Sequence, residues 1–220
     1  MQDPTIVVLI GLGALAMVGG FIYFAYVAAQ KRSAALADVA VRIGFTFEPK
    51  VAEERLAALG SFHLFKRGHR RIARNLLTGK ADAGPVVLLD YQYTVGGGKD
   101  SHTYQQTVAV FQEVAGLPEF TLAPEQVWQK VGSLFGYQDI DFEASEEFSK
   151  HYLLRGSDES AIRAAFGAEA LGFFGQAKGW SVEAAGGALA VYRGSKRVKP
   201  EEIQPFLAET AAVRRALSRA

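Results

Sequence analysis

Apolar and polar positions divide this chain into one long uncharged run and a series of short segments with helical or alternating periods. From Thr5 to Ala29 stand 25 consecutive uncharged residues, TIVVLIGLGALAMVGGFIYFAYVAA. As a helix this run spans ~37 Å, more than the ~30 Å of a bilayer's hydrocarbon core, and predicts one tilted transmembrane helix. Asp3 is the only charge before it, whereas Lys31 and Arg32 follow at once and Arg42 comes soon after. That basic excess predicts an N-terminus outside and the remainder in the cytoplasm. Tyr23 and Tyr26 fall where an interfacial aromatic belt lies, and with Lys31 and Arg32 they are the expected interface anchors. A cleaved signal peptide is the rival reading, from the small-residue spacing of Val27 and Ala29. The missing basic leader and the length of the run oppose it.

Gly13, Ala16 and Gly20 recur at helical spacing within the span. Such a strip lets a second helix approach closely, although glycine is also simply commoner in membrane helices than in soluble ones.

Beyond the span the pattern predicts an α+β domain. Leu36, Val39, Ala40 and Ile43 repeat at helical spacing and Gly44 ends the turn, so residues 32–43 extend or restart the membrane helix. Phe45 to Phe47 reads as a short strand, and Leu56 and Leu59 mark a helix closing at Gly60. The centre reads as a β-meander over 70–78, 86–95 and 102–113, with turns at Gly79–Pro85 and GGGKDSH. Val87, Leu89, Tyr91 and Tyr93 share one face; in the next strand Tyr104, Gln106, Val108 and Val110 share a face and Thr107, Ala109 and Phe111 the other. Partly apolar character on both faces predicts a mainly antiparallel sheet covered by helices.

Residues 117–124 read as a strand leading into a helix with Pro124 at its first position, whose apolar stripe is Val127, Trp128, Val131, Leu134 and Phe135. Ser157 is placed to cap a helix ending near Gly167. A hairpin runs over Trp180–Ala185 and Leu189–Arg193, turning at Gly186 and Gly187. A last helix starts in regular form at Pro205, with Phe206, Leu207, Val213 and Leu217 inward. The expected organisation is an anchor over 1–31, a helical stalk over 32–60 and a cytoplasmic α+β domain over 61–220.

Composition narrows the chemistry. The chain has no cysteine, which removes disulfides, thiolate nucleophiles, iron–sulfur clusters and thiolate-bound zinc. A net charge of +1 gives no global pull towards nucleic acid, which is not expected as a partner. The histidines His63, His69, His102 and His151 have no metal-site spacing. A phosphate loop at Gly98-Lys99 would need glycine at 93 and Ser or Thr at 100, where the chain has Tyr93 and Asp100. Asp139, Asp141 and Glu143 alternate, but a calcium loop counted from Asp139 would need glycine where Ala144 stands and glutamate where Lys150 stands. No cofactor or metal is expected, and Asp90, His102, Tyr91 and Tyr93 are the only groups an enzyme reading can nominate.

One charge feature stands out. HLFKRGHRRIAR, residues 63–74, holds Lys66, Arg67, Arg70, Arg71 and Arg74 with no acid before Asp82. It reads as a patch for anionic lipid or an acidic partner, or as a charged strand edge that resists aggregation.

The segments RNLLTG, DYQYT, QQTV, LPEFTLAPE, DIDF and HYLLRGSDESAIRAAF, over about residues 70–170, resemble a broad group of uncharacterised bacterial single-pass membrane-anchored proteins with a cytoplasmic α+β domain. The resemblance implies a bacterial source and transfers no catalytic residue. Taken together, the expected role is a non-catalytic accessory or scaffolding subunit that meets integral membrane protein subunits and caps their complex, respiratory or photosynthetic assemblies being natural hosts. The alternative is an anionic-lipid-binding or regulatory domain, and an enzyme ranks third.

Overall fold

The computed structural model describes residues 4–125, 139–142 and 145–218. Helix α1 (Pro4–Ile43) is a single element of 40 residues, ~60 Å long. Its apolar portion is uncovered by the rest of the chain, with Leu15, Met17, Phe21 and Phe24 all exposed. Apolar surface of that extent with no partner in its own domain supports membrane anchoring. The helix does not break at residue 31. Leu36, Val39 and Ala40 are buried in the core of the domain, so the segment expected as a stalk belongs to the domain's body.

Gly44 ends α1 in the left-handed region (φ 73°). Its N–H donates to the Val41 carbonyl at 3.3 Å, and the Phe45 N–H donates to the Ala40 carbonyl at 2.8 Å. This paired reversal satisfies carbonyls that the helix end leaves open and turns Phe45 into the core. The Phe45 ring then lies against Gly79, where a Cβ would overlap it.

The domain is an α+β body built on one sheet of eight strands in which every pairing is antiparallel. The strands are β1 (Thr46–Lys50), β2 (His69–Ala81), β3 (Gly84–Val95), β4 (His102–Phe111), β5 (Phe120–Pro124), β6 (Tyr152–Gly156), β7 (Ser181–Ala185) and β8 (Ala188–Tyr192). Their order across the sheet is β1-β2-β3-β4-β8-β7-β5-β6. The predicted meander is β2–β4, but its first turn is tighter than the glycine and proline content implies: pairing continues to Ala81 and Gly84, leaving Asp82 and Ala83 as the loop. Gly84 at φ 111° makes that possible.

Both faces are covered. One carries the end of α1, the helices α4 (Glu159–Ala165), α5 (Ala168–Gln176) and α6 (Ile203–Ser218) and the single turn α3 (Glu146–Ser149), whereas α2 (Glu53–Ala58) packs through Leu56 on the opposite face. On the other, Phe62, Leu64 and Phe65 pack over Tyr91, Tyr93, Val108, Val110 and Tyr192. Two expected helix starts move. Asp158, not Ser157, caps α4, its Oδ1 accepting from the Ala161 N–H at 3.0 Å; a carboxylate answers the positive helix end better than a hydroxyl. Helix α6 begins two residues before Pro205, after a 3-10 turn at Pro200–Glu202. Proline is tolerated there because N–H groups of the first turn have no intrahelical acceptor. The stripe from Val127 to Phe135, and Glu143, lie outside the described residues.

Candidate functional site

Just past its apolar portion, α1 meets the sheet at an ion pair. In β3 the residues facing the helices are Val86, Leu88 and then Asp90, a carboxylate where the pattern calls for an apolar group. Arg32 reaches it from α1 with both arms of its guanidinium: Nε donates to Oδ2 at 2.8 Å and an Nη to Oδ1 at 2.7 Å. The Asn75 amide donates to Oδ2 at 2.9 Å and the Thr107 hydroxyl to Oδ1 at 3.0 Å. Thr107 in turn accepts from the Val198 N–H at 3.0 Å, which ties in the segment before α6. The Arg32 and Asp90 side chains are 12% and 9% exposed. A buried pair repays its desolvation only when the geometry is bidentate and the remaining lone pairs are used, and here both conditions hold.

Local backbone geometry delivers these groups. β2 carries two bulges, one between His69 and Ile72 and one between Arg74 and Leu77. Arg70 and Asn75 occupy them at φ 50° and 53°. Asparagine tolerates this conformation better than most residues, and the bulge turns its amide towards Asp90.

Beside the pair lies a cleft of about 330 Å³. Tyr26, Ala29 and Gln30 form its α1 wall; Lys50 of β1, Arg74 of β2, Gln92 of β3 and Arg197 complete it. Asp90 is its only acid. Arg197 is held below the ordinary arginine value, first by partial burial and also by Arg32, against the opposite pull of Asp90. Val86 and Leu88 share the core with Leu36, Val39 and Ala40, Asp90 meets Arg32, and Gln92 lines the cleft with Ala29 and Tyr26. β3 therefore runs antiparallel to α1 and climbs towards its apolar end. The β3–β4 turn and the start of β2 belong to the end of the domain nearest the membrane span.

The five cations of the basic segment go to different places. Arg67 is buried on the opposite face beside Tyr93, Tyr192 and Glu183; burial pulls its pKa down, but those three groups raise it overall. Arg71 donates to the Phe65 carbonyl at 3.0 Å. Arg74 lines the cleft, while Lys66 and Arg70 are exposed. Alternation along β2 and its bulges separate them, so only Arg74 joins the site. Of the expected anchors, Tyr23, Tyr26 and Lys31 lie exposed on α1, whereas Arg32 turns into the domain. Gly13 and Gly20 have open space around them, and Ala16 is exposed.

The groups that an enzyme reading nominates do not converge. Asp90 faces α1, whereas Tyr91 and Tyr93 point to the opposite face, where Tyr93 stacks on Tyr104 at 5.3 Å and His102 meets Tyr104 edge-on at 4.5 Å. Asp139 accepts from the Leu154 N–H at 2.9 Å, and the Asp141 carbonyl accepts from Arg163 at 2.9 Å. No group of three metal-ligating side chains occurs among the described residues.

Sequence reading passed over Lys50, Asn75, Thr107 and Arg197. One signal was available. A lone aspartate in the apolar run VVLLDYQYTV must find a partner if buried, but its position does not say which.

No protein-family model matches this chain, and no curated protein matches it in sequence. Among solved structures it is similar to the crystal structure of the mycobacterial trehalose monomycolate transport factor A, TtfA, with a TM-score of 0.56 and 10% identity, over 84% of this chain and 92% of that one. At that identity the likeness is one of fold and assigns no residue a role.

Proposed function

We propose that this protein is a membrane-anchored accessory subunit of a larger bacterial membrane complex, non-catalytic itself, whose domain lies on the cytoplasmic side. The observation that carries this reading is the junction of Arg32 with Asp90. A flexible tether would leave the domain free to reorient; here the helix enters the core at Leu36, Val39 and Ala40 and is clamped just before it by a bidentate pair. The domain is thus held at one attitude to α1, which suits a subunit that must present a defined surface beside a membrane partner.

The small-residue strip supports the same reading. At 100° per residue, Gly13, Ala16 and Gly20 fall on the side of α1 roughly opposite Leu36, Val39 and Ala40. A partner helix seated on the strip would approach without meeting the domain. The basic residues following the span favour the cytoplasmic placement. The shared fold with a transport factor is in keeping with an accessory role and adds transport assemblies to the respiratory or photosynthetic hosts.

Purification in mild detergent, with photo-crosslinkers placed at Gly13 and at Leu15, tests it. A membrane protein captured from position 13, and lost when Ala16→Leu and Gly20→Leu are added to the chain carrying that crosslinker, is the expected result. A lone monomer with no crosslinked membrane protein would sink the proposal.

A further inference from the structure

Lys50, Arg74 and Arg197 surround the cleft with side chains that make no hydrogen bond or ion pair among the described residues. Asp90 offsets Arg197 only in part, because its charge is already paired with Arg32 and its two oxygens accept four hydrogen bonds from Arg32, Asn75 and Thr107. The cleft is therefore a hollow of net positive charge, and the Gln92 amide, whose oxygen accepts from Gln105 at 3.1 Å, offers a further donor in its wall.

Its height along α1 decides what meets it. About 20 helical residues cross the hydrocarbon core. Counted from Thr5, the far boundary falls near Phe24, so Tyr26 and Ala29 lie in the headgroup layer and Arg32 at its aqueous edge. The cleft opens on the side of α1 that carries the domain, away from the small-residue strip, where lipid rather than a partner helix adjoins it.

We infer that this cleft binds the phosphate of an anionic membrane phospholipid, held by Lys50, Arg74 and Arg197 with Tyr26 against its glycerol region. The guanidinium groups match phosphate geometry. The volume suits a headgroup rather than a whole lipid, leaving the acyl chains in the bilayer beside α1. The inference needs α1 to span the membrane but needs no protein partner, so it stands or falls separately from the accessory role.

The test is native mass spectrometry of the full chain in mild detergent, titrated with phosphatidylglycerol or phosphatidylcholine of identical chains. Phosphatidylglycerol should bind at least tenfold more tightly. The Lys50→Gln/Arg74→Gln/Arg197→Gln variant should lose roughly a hundredfold, at about fivefold per cation near an anionic headgroup. Lys66→Gln/Arg70→Gln, which removes exposed charge outside the cleft, should change affinity less than twofold. Should the triple variant fail to fold, the single Lys50→Gln variant must still lose about fivefold. Equal binding of the two lipids, or an equal loss in the Lys66 and Arg70 control, would overturn the inference. Displacement by millimolar inorganic phosphate would assign the cleft to a soluble anion, and preferential binding of polyglutamate to an acidic protein segment; either overturns the lipid assignment.

Discussion

Arg32 and Asp90, 58 positions apart, share two hydrogen bonds of 2.8 and 2.7 Å at the point where the membrane helix meets the sheet. Removing one member strands the other. Asp90→Ala leaves Arg32, Asn75 and Thr107 without their acceptor and should cost about 3 kcal/mol in denaturant unfolding. Arg32→Gln should cost less, since Asn75 and Thr107 still serve Asp90. A double-mutant cycle should return a coupling of at least ~1 kcal/mol, and trypsin should cut after Lys31 faster in both single variants. Unchanged proteolysis would mean that the pair does not hold the helix to the domain.

Gly79 is kept bare by Phe45, whose ring occupies the space of a Cβ. Gly79→Ala is expected to destabilise by about 1–3 kcal/mol through overpacking. Trimming the ring with Phe45→Leu in the same chain should recover part of that loss, because the two residues share one space. Thermal unfolding of the single and double variants checks it, and strict additivity would rule the contact out as the cause.

On the other face, Glu183 is 1% exposed and accepts from the Leu64 N–H at 3.1 Å and the Tyr192 hydroxyl at 3.0 Å, beside Arg67. It holds the segment carrying Phe62, Leu64 and Phe65 onto the sheet. Glu183→Ala should cost about 1–3 kcal/mol by leaving the buried Leu64 N–H and Tyr192 hydroxyl without their acceptor, and Glu183→Gln should cost less by keeping an acceptor. Amide exchange over residues 60–67 should accelerate in step with the loss.

Tyr152 yields a pH prediction. Its hydroxyl donates to the Ala177 carbonyl at 2.6 Å and accepts from the Trp180 N–H at 3.2 Å, and burial, the main cause, pushes its pKa up to about 12. The folded state therefore keeps the proton where the unfolded chain has lost it. This contribution is intact below the ordinary tyrosine value near 10 and is lost as pH rises from there through about 12. Tyr152→Phe should lower stability by about 1–3 kcal/mol at neutral pH, since the buried Trp180 N–H and the half-buried Ala177 carbonyl lose their partner. It should also flatten the decline between pH 10 and 12. Denaturant midpoints over that range report both effects, and an equally steep decline in the variant would assign it to other buried tyrosines.

Much of the fold was legible because its signals are local. The uncharged run from Thr5 to Ala29 announces a spanning helix by length alone. The alternation in β3 and β4 separates Tyr91 and Tyr93 from Asp90 and Thr107 as surely as the coordinates do, since successive side chains of a strand must point to opposite faces. Gly186 and Gly187 mark the last hairpin, and Phe206, Leu207, Val213 and Leu217 mark the inner face of α6. The basic segment is not one patch in the fold, because charge adjacency in sequence is not adjacency in space: two bulges and the strand pleat send Arg67, Arg71 and Arg74 to three different surroundings.

By itself the sequence determined which residues share a helix or strand face, where the chain reverses, and that its first part prefers hydrocarbon to water; each follows from contiguous chemistry over a few turns or pleats. Only the tertiary structure decided that β5 lies between β7 and β6, that Phe62, Leu64 and Phe65 close the far face, and that Arg32, Asn75 and Thr107 converge on Asp90 beside Lys50 and Arg197. Those partners are brought together by packing across the whole sheet. Periodicity states which way a side chain points and carries no information about what will be waiting there.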